Sequence, residues 1–167
     1  MKIINRVARS GILTFDLEAF WDGGQIVELD IEPFLFGGLV LREKEYRAHV
    51  AGHRWESYDD SHVAVFCSTE AIIPTWAWML IGSKLRDRAR SVSYGRRADL
   101  LRDWYTRALT THDWTKYSDR IVVIKGCGAL AVPPSAYLAA TLALQGVARK
   151  MMYGEACSSV PVWRHPK

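Results

Sequence analysis

The chain has 167 residues, enough for one domain or one compact unit built from repeats, with a full core. Hydrophobic residues make up 49% and charged residues 24%, the profile of a soluble globular protein, and the formal net charge of +4 is mild. Three cysteines, an odd number, argue against a disulfide framework. The longest apolar run, about Ala71 to Gly82, is broken by Pro74 and Thr75 and is too short to cross a bilayer. Met1 to Leu13 lacks the layout of a signal peptide, so a cytoplasmic location with no membrane association is expected. No C-x-x-C, H-E-x-x-H, P-loop or G-x-G-x-x-G motif occurs.

In chain order, residues 1–52 form an N-terminal α+β extension, with a helix near 2–9, a strand at about 25–31 and a helix at about 42–52. A repeat follows. At an offset of 59, His53-x-Trp55-x-x-Tyr58-x-Asp60 matches His112-x-Trp114-x-x-Tyr117-x-Asp119, and Val63 matches Val122. Pro74, Ala77, Leu85, Ala89, Arg90, Tyr94 and Gly95 match Pro133, Ala136, Leu144, Ala148, Arg149, Tyr153 and Gly154. That makes twelve identities over residues 53–95 and 112–154, where unrelated segments of average composition give about three.

Each copy reads as strand, helix, strand. Residues 62–67 and 120–125 are short β-rich runs suited to buried parallel strands. Pro74 and Pro133 or Pro134 suit helix starts, and apolar residues at helical spacing follow to about Arg88 and Val147. Ser91 to Tyr94 and Lys150 to Tyr153 close the copies. Residues 96–111 link them through an amphipathic helix, and 155–167 form a C-terminal tail. The expectation is a single α/β domain, a three-layer parallel sheet built from the duplicated β-α-β unit with right-handed crossovers and strand order 2-1-3-4.

In such a sheet Cys67, Cys127 and Cys157 all leave strands at the carboxyl edge, where ligands of open parallel sheets bind. Three thiolates in one place call for a compensating cation, which predicts a zinc or an iron–sulfur cluster. Glu70 and Glu155 are the better fourth ligands, ahead of Ser158, while His62 starts its strand at the opposite edge. Two other readings stand beside this one. In the first, the cysteines are packing residues of a non-catalytic interaction module, suggested by the abundant tryptophan and a mild basic patch. In the second, Cys67 or Cys127 is the nucleophile of a thiol or sulfur-transfer enzyme. Whether any reaction is catalysed stays open.

The patch comprises Lys84, Arg86, Arg88, Arg90, Arg96 and Arg97 and reads first as a solvated helix end, so nucleic-acid binding is not expected. His53 and His112 read as terminating helices in the same way twice.

The segments Cys67-Ser-Thr-Glu-Ala-Ile-Ile-Pro-Thr-Trp-Ala-Trp-Met79, Lys125-Gly-Cys127 and Met152-Tyr-Gly-Glu-Ala-Cys157-Ser-Ser-Val-Pro161 resemble an uncharacterised bacterial family, domain of unknown function 2480. So does Gly11-Ile-Leu-Thr-Phe-Asp-Leu-Glu-Ala-Phe20. The resemblance implies no established activity. It does imply a neighbourhood with iron–sulfur assembly proteins as partners, which tilts the metal reading toward a cluster. Glu70 stands where that family carries an aspartate.

Overall fold

The computed structural model describes residues 11–126, 128, 131–155 and 158–166. The expected helix at 2–9 lies outside them. Its elements, in chain order, are β1 (Ile12–Asp16), β2 (Ile26–Asp30), α1 (Glu43–Gly52), β3 (His62–Phe66), α2 (Thr75–Leu85) and β4 (Ser91–Tyr94). There follow α3 (Arg97–Thr110), β5 (Ile121–Lys125), α4 (Pro134–Gln145), β6 (Lys150–Tyr153) and β7 (Val160–Arg164). The fold is mixed α/β with mostly parallel strands.

The single sheet of order 2-1-3-4 is replaced by two sheets, ordered β2-β3-β4 and β1-β5-β6-β7. The chain correspondingly divides into a continuous unit, Gly23–Asp103, and a split unit made of Met1–Asp22 and Trp104–Lys167. The boundary falls inside α3.

In the continuous unit, β2 and β4 flank β3 in parallel, with Val27 opposite Val63 and Val63 opposite Val92. Both crossovers move the same way across the sheet, and right-handedness then puts α1 and α2 on one face. The core agrees with this. Tyr46 and Val50 of α1 and Ala77, Ile81 and Leu85 of α2 pack with Val63 and Val65. The split unit has the same order of parts. Tyr105 and Leu109 of α3 and Ala136, Ala140 and Leu144 of α4 pack with Val122 and Ile124. The strand paired with β5 is β1, with Ile12 opposite Ile121. The N-terminal stretch therefore contributes one strand to each sheet rather than a separate extension. The tail contributes β7, antiparallel to β6, which the expectation of a parallel sheet did not contain.

Matching residues make matching bonds in the two units. The Asp60 and Asp119 amides donate to the Arg88 and Val147 carbonyls, both at 2.9 Å. Gly95 donates to Val65 at 2.8 Å and Gly154 to Ile124 at 3.0 Å. The backbone turns through positive φ at Asp60 (57°) and Asp119 (55°), and at Gly95 (108°) and Gly154 (115°). After β2 and β1 the same turn recurs. Asp30 Oδ1 accepts the Glu32 amide at 2.9 Å, and Asp16 Oδ1 accepts the Glu18 amide at 3.0 Å, each opening a short 3-10 turn. Ile12-x-x-x-Asp16-x-Glu18-x-Phe20 and Ile26-x-x-x-Asp30-x-Glu32-x-Phe34 carry that turn at an offset of 14, not 59.

Candidate functional site

The carboxyl edge of β2-β3-β4 holds Cys67, directly after β3. Its sulfur lies 3.4 Å from Thr69 Oγ1, and that hydroxyl donates to the Gly38 carbonyl at 2.6 Å. With its one proton committed to Gly38, Thr69 can only accept, so the Cys67 thiol is the donor. The thiol is partly buried and packed against the core of its unit, as a small apolar side chain would be. Nearby, burial pushes the Tyr46 hydroxyl pKa up to about 12, with the Cys67 charge adding to the shift.

Asp30 ties the same edge together. Its Oδ1 accepts the Ser68 amide at 3.0 Å as well as that of Glu32. Burial pushes this carboxyl up, but hydrogen bonds from the Ser68 side chain and from the Glu32 and Ser68 amides, with Arg96 nearby, hold it below its ordinary value. Arg96 also sits 3.9 Å above the Phe66 ring.

The carboxyl edge of the other sheet is closed by its own side chains. Glu18 Oε1 accepts the Gly128 amide, and the Tyr137 hydroxyl donates to the Gly126 carbonyl at 2.6 Å. Lys125 Nζ lies 3.3 Å from Glu155 Oε1, so this candidate ligand is an exposed carboxylate paired with a lysine. Glu70, the other, is exposed on a loop of the continuous unit.

The metal or iron–sulfur reading is overturned. It required one sheet with three thiols at one edge. Instead Cys67 follows β3 in one sheet, whereas Cys127 and Cys157 come after β5 and β6 of the other in sequence. Cys127 and Cys157 themselves lie outside the described residues. Among the described residues, no group of three or more His, Cys, Asp and Glu could hold a metal ion.

The repeated histidines are structural, as expected. His53 Nε2 is 3.0 Å from the Tyr58 hydroxyl and His112 Nε2 is 3.4 Å from that of Tyr117. Each ring also meets a tryptophan edge-on, with centroids 4.8 Å apart. Burial pushes both imidazole pKa values down. His62, at the start of β3, is fully buried and bonded to Ser91 at 2.7 Å.

Two surfaces stand out that sequence reading missed. The first is α4, whose twelve residues carry no charge. Ala136, Ala140 and Leu144 face the core, while Leu138 and Leu142 are 67% and 70% exposed. On the flank toward β6 and β7, Ile124, Tyr137, Thr141, Tyr153 and Val162 line a pocket of about 340 Å³. The only sequence signal was the absence of charge from one amphipathic segment. The second surface is the amino edge of the same sheet, where Arg149 and Arg164 line a recess. The basic patch expected over residues 84–97 is instead largely neutralised. Arg88 meets Glu56 at 2.9 Å and Asp59 at 3.0 Å, Arg90 meets Asp60 at 2.6 Å, and Arg96 approaches Glu28 at 3.8 Å.

Among the described residues, no helix is long and apolar enough to cross a membrane. Residues 1–165 match the model of a family described as a protein of unknown function, DUF2480. No curated protein and no solved structure matches the chain.

Proposed function

We propose that this chain, which belongs to the DUF2480 family, is a non-catalytic protein-interaction module that docks a partner on the outer face of α4 and the adjoining β6 and β7. The observation that carries the reading is the exposure of Leu138 and Leu142 on a helix without one charged side chain. Val160 and Val162 extend the apolar surface, at 62% and 50% exposed. Apolar surface gathered in this way marks interaction sites, because water is displaced from it at a gain. The pocket beside Tyr137 and Tyr153 would take an apolar side chain of the partner.

The same reading treats the two units as copies of one β-α-β-α-β ancestor, supported by the matched turns at Asp60 and Asp119 and at Asp16 and Asp30. The copies diverge at the proposed interface. Met79 occupies the place of Leu138, but Ser83 stands for Leu142, and Lys84 and Arg86 for Ala143 and Gln145. The packed, hydrogen-bond-donating Cys67 thiol supports a scaffold role rather than thiol chemistry.

A photoreactive amino acid placed at Leu138 of the full chain, in cells that express it, tests this function. The expected result is discrete heavier adducts at position 138 and none from the same probe at exposed Lys84. Loss of adducts at 138, or the same ladder from both positions, would contradict it.

A further inference from the structure

The amino edge of β1-β5-β6-β7 gathers cations that are scattered along the sequence. Arg120 directly precedes β5, Arg149 and Lys150 open β6, and antiparallel β7 ends there at Arg164. The backbone binds these positions together. The Arg120 carbonyl accepts the Arg149 amide at 2.9 Å and the Lys150 amide at 3.3 Å, and the Arg149 carbonyl accepts the His165 amide at 2.9 Å. Beside them opens a recess of about 460 Å³, lined by Arg149, Arg164, His165, Asp119 and the turn at Gly146 to Ala148.

The other unit shows what a neutralised version of this edge looks like. There Arg90, the counterpart of Arg149, is clamped by Asp60 at 2.6 and 2.8 Å, and serines 61 and 91 stand for Arg120 and Lys150. In the split unit, Asp119 keeps the backbone turn of Asp60. Yet among the described residues Arg120, Arg149, Lys150 and Arg164 form no ion pair, with Asp119 or any other carboxylate. Two guanidinium groups, those of Arg149 and Arg164, thus line the recess with one carboxylate, Asp119, and the weak negative end of α4, while Arg120 and Lys150 belong to the same sheet edge. A chain of net charge +4 concentrates cations here that its other sheet edge compensates.

We propose that this recess binds a small phosphate-bearing ligand, held by the guanidinium groups of Arg149 and Arg164. Planar guanidinium forks match phosphate oxygens in pairs, and a concave space of this size suits a compact ligand better than an extended polymer. The site is separate from the apolar face of α4 and does not depend on it.

Calorimetric titration of the full chain with inorganic tripolyphosphate tests the proposal. Saturable binding is expected, weakened as salt rises. Arg149→Gln with Arg164→Gln should weaken it at least ~10-fold. Lys84→Gln with Arg86→Gln, an equal loss of exposed charge, should leave it unchanged. Asp119→Asn removes the one carboxylate and should tighten binding. If the double variant does not fold, Arg164→Gln alone at the end of the edge strand carries the test, with a weakening expected. Absence of binding, equal loss in both double variants, or weaker binding by Asp119→Asn would overturn the site. So would binding of a single-stranded oligonucleotide without binding of tripolyphosphate.

Discussion

The Tyr46 hydroxyl donates to the Ala77 carbonyl at 3.1 Å, joining α1 to α2 inside the core. Its counterpart 59 residues on, Tyr105, is as deeply buried, yet its hydroxyl has no partner among the described residues. Burial pushes its pKa up to about 12, with the charges of Glu18, Tyr137 and Asp16 adding to the shift. A satisfied buried hydroxyl stabilises by about 1 kcal/mol, whereas an unsatisfied one carries a desolvation cost. Tyr46→Phe should therefore destabilise by about 1 kcal/mol, and Tyr105→Phe should be neutral or stabilising. Urea unfolding of the two variants measures both. Equal losses would show that Tyr105 has a partner.

The repeated motif from His53 to Asp60, the strands β3 to β6 and the helices α1, α2 and α4 were legible because their apolar spacing and their turn residues agree. What was not legible was pairing. β1 is a five-residue run whose partner β5 lies far along the chain, so nothing local distinguishes it from the strand of a separate extension. The Asp-x-Glu-x-Phe turn that it shares with β2 recurs at an offset of 14 rather than 59. Without the β1–β5 pairing the parallel strands read as one sheet, which the three-cysteine edge required, whereas the strands form two sheets. The charged run from Lys84 to Arg97 reads from sequence as a solvated helix end, and its ion pairing was not legible for a related reason. Its neutralising partners Glu28, Glu56, Asp59 and Asp60 are distant in sequence and close only in the fold.

Asp60 and Asp119 occupy the left-handed region, at φ of 57° and 55°. Only glycine enters that region without steric cost, which for other residues is about 1–2 kcal/mol. Asp119→Gly should hold or raise stability, and Asp119→Val should lower it by about 1–2 kcal/mol. At Asp60 any gain from glycine is offset by loss of the bidentate pair with Arg90. Thermal unfolding of the three variants ranks them. A stabilising valine would contradict the backbone account.

Burial lowers the pKa of His53 and of His112, so the unfolded chain binds protons more readily than the folded one. Stability is then fully present above the ordinary histidine value of about 6.5 and is lost as pH falls below it. Melting temperatures taken from pH 8 to 5 should decline from about pH 6.5 downward. Replacing both histidines with glutamine should flatten that limb. An unchanged decline would assign it to other groups.

Leu138 and Leu144 lie on different faces of α4, the first 67% exposed and the second fully buried. Leu144→Ala should cost about 2–5 kcal/mol, as for other core truncations. Leu138→Ala with Leu142→Ala should stay within about 0.5 kcal/mol for each residue, as for exposed sites. Denaturant unfolding of the isolated chain separates them. A large loss at Leu138 would mean that the fold itself uses this face.

The central claim is that this uncharged face of α4 receives a partner. Its most direct measurement is the yield of adduct from a photoreactive residue at position 138, with and without Leu142→Glu one turn away. A discrete heavier species is expected, and it disappears with the glutamate while the chain stays folded. An adduct of undiminished yield in the glutamate variant, or no adduct in either, would contradict it.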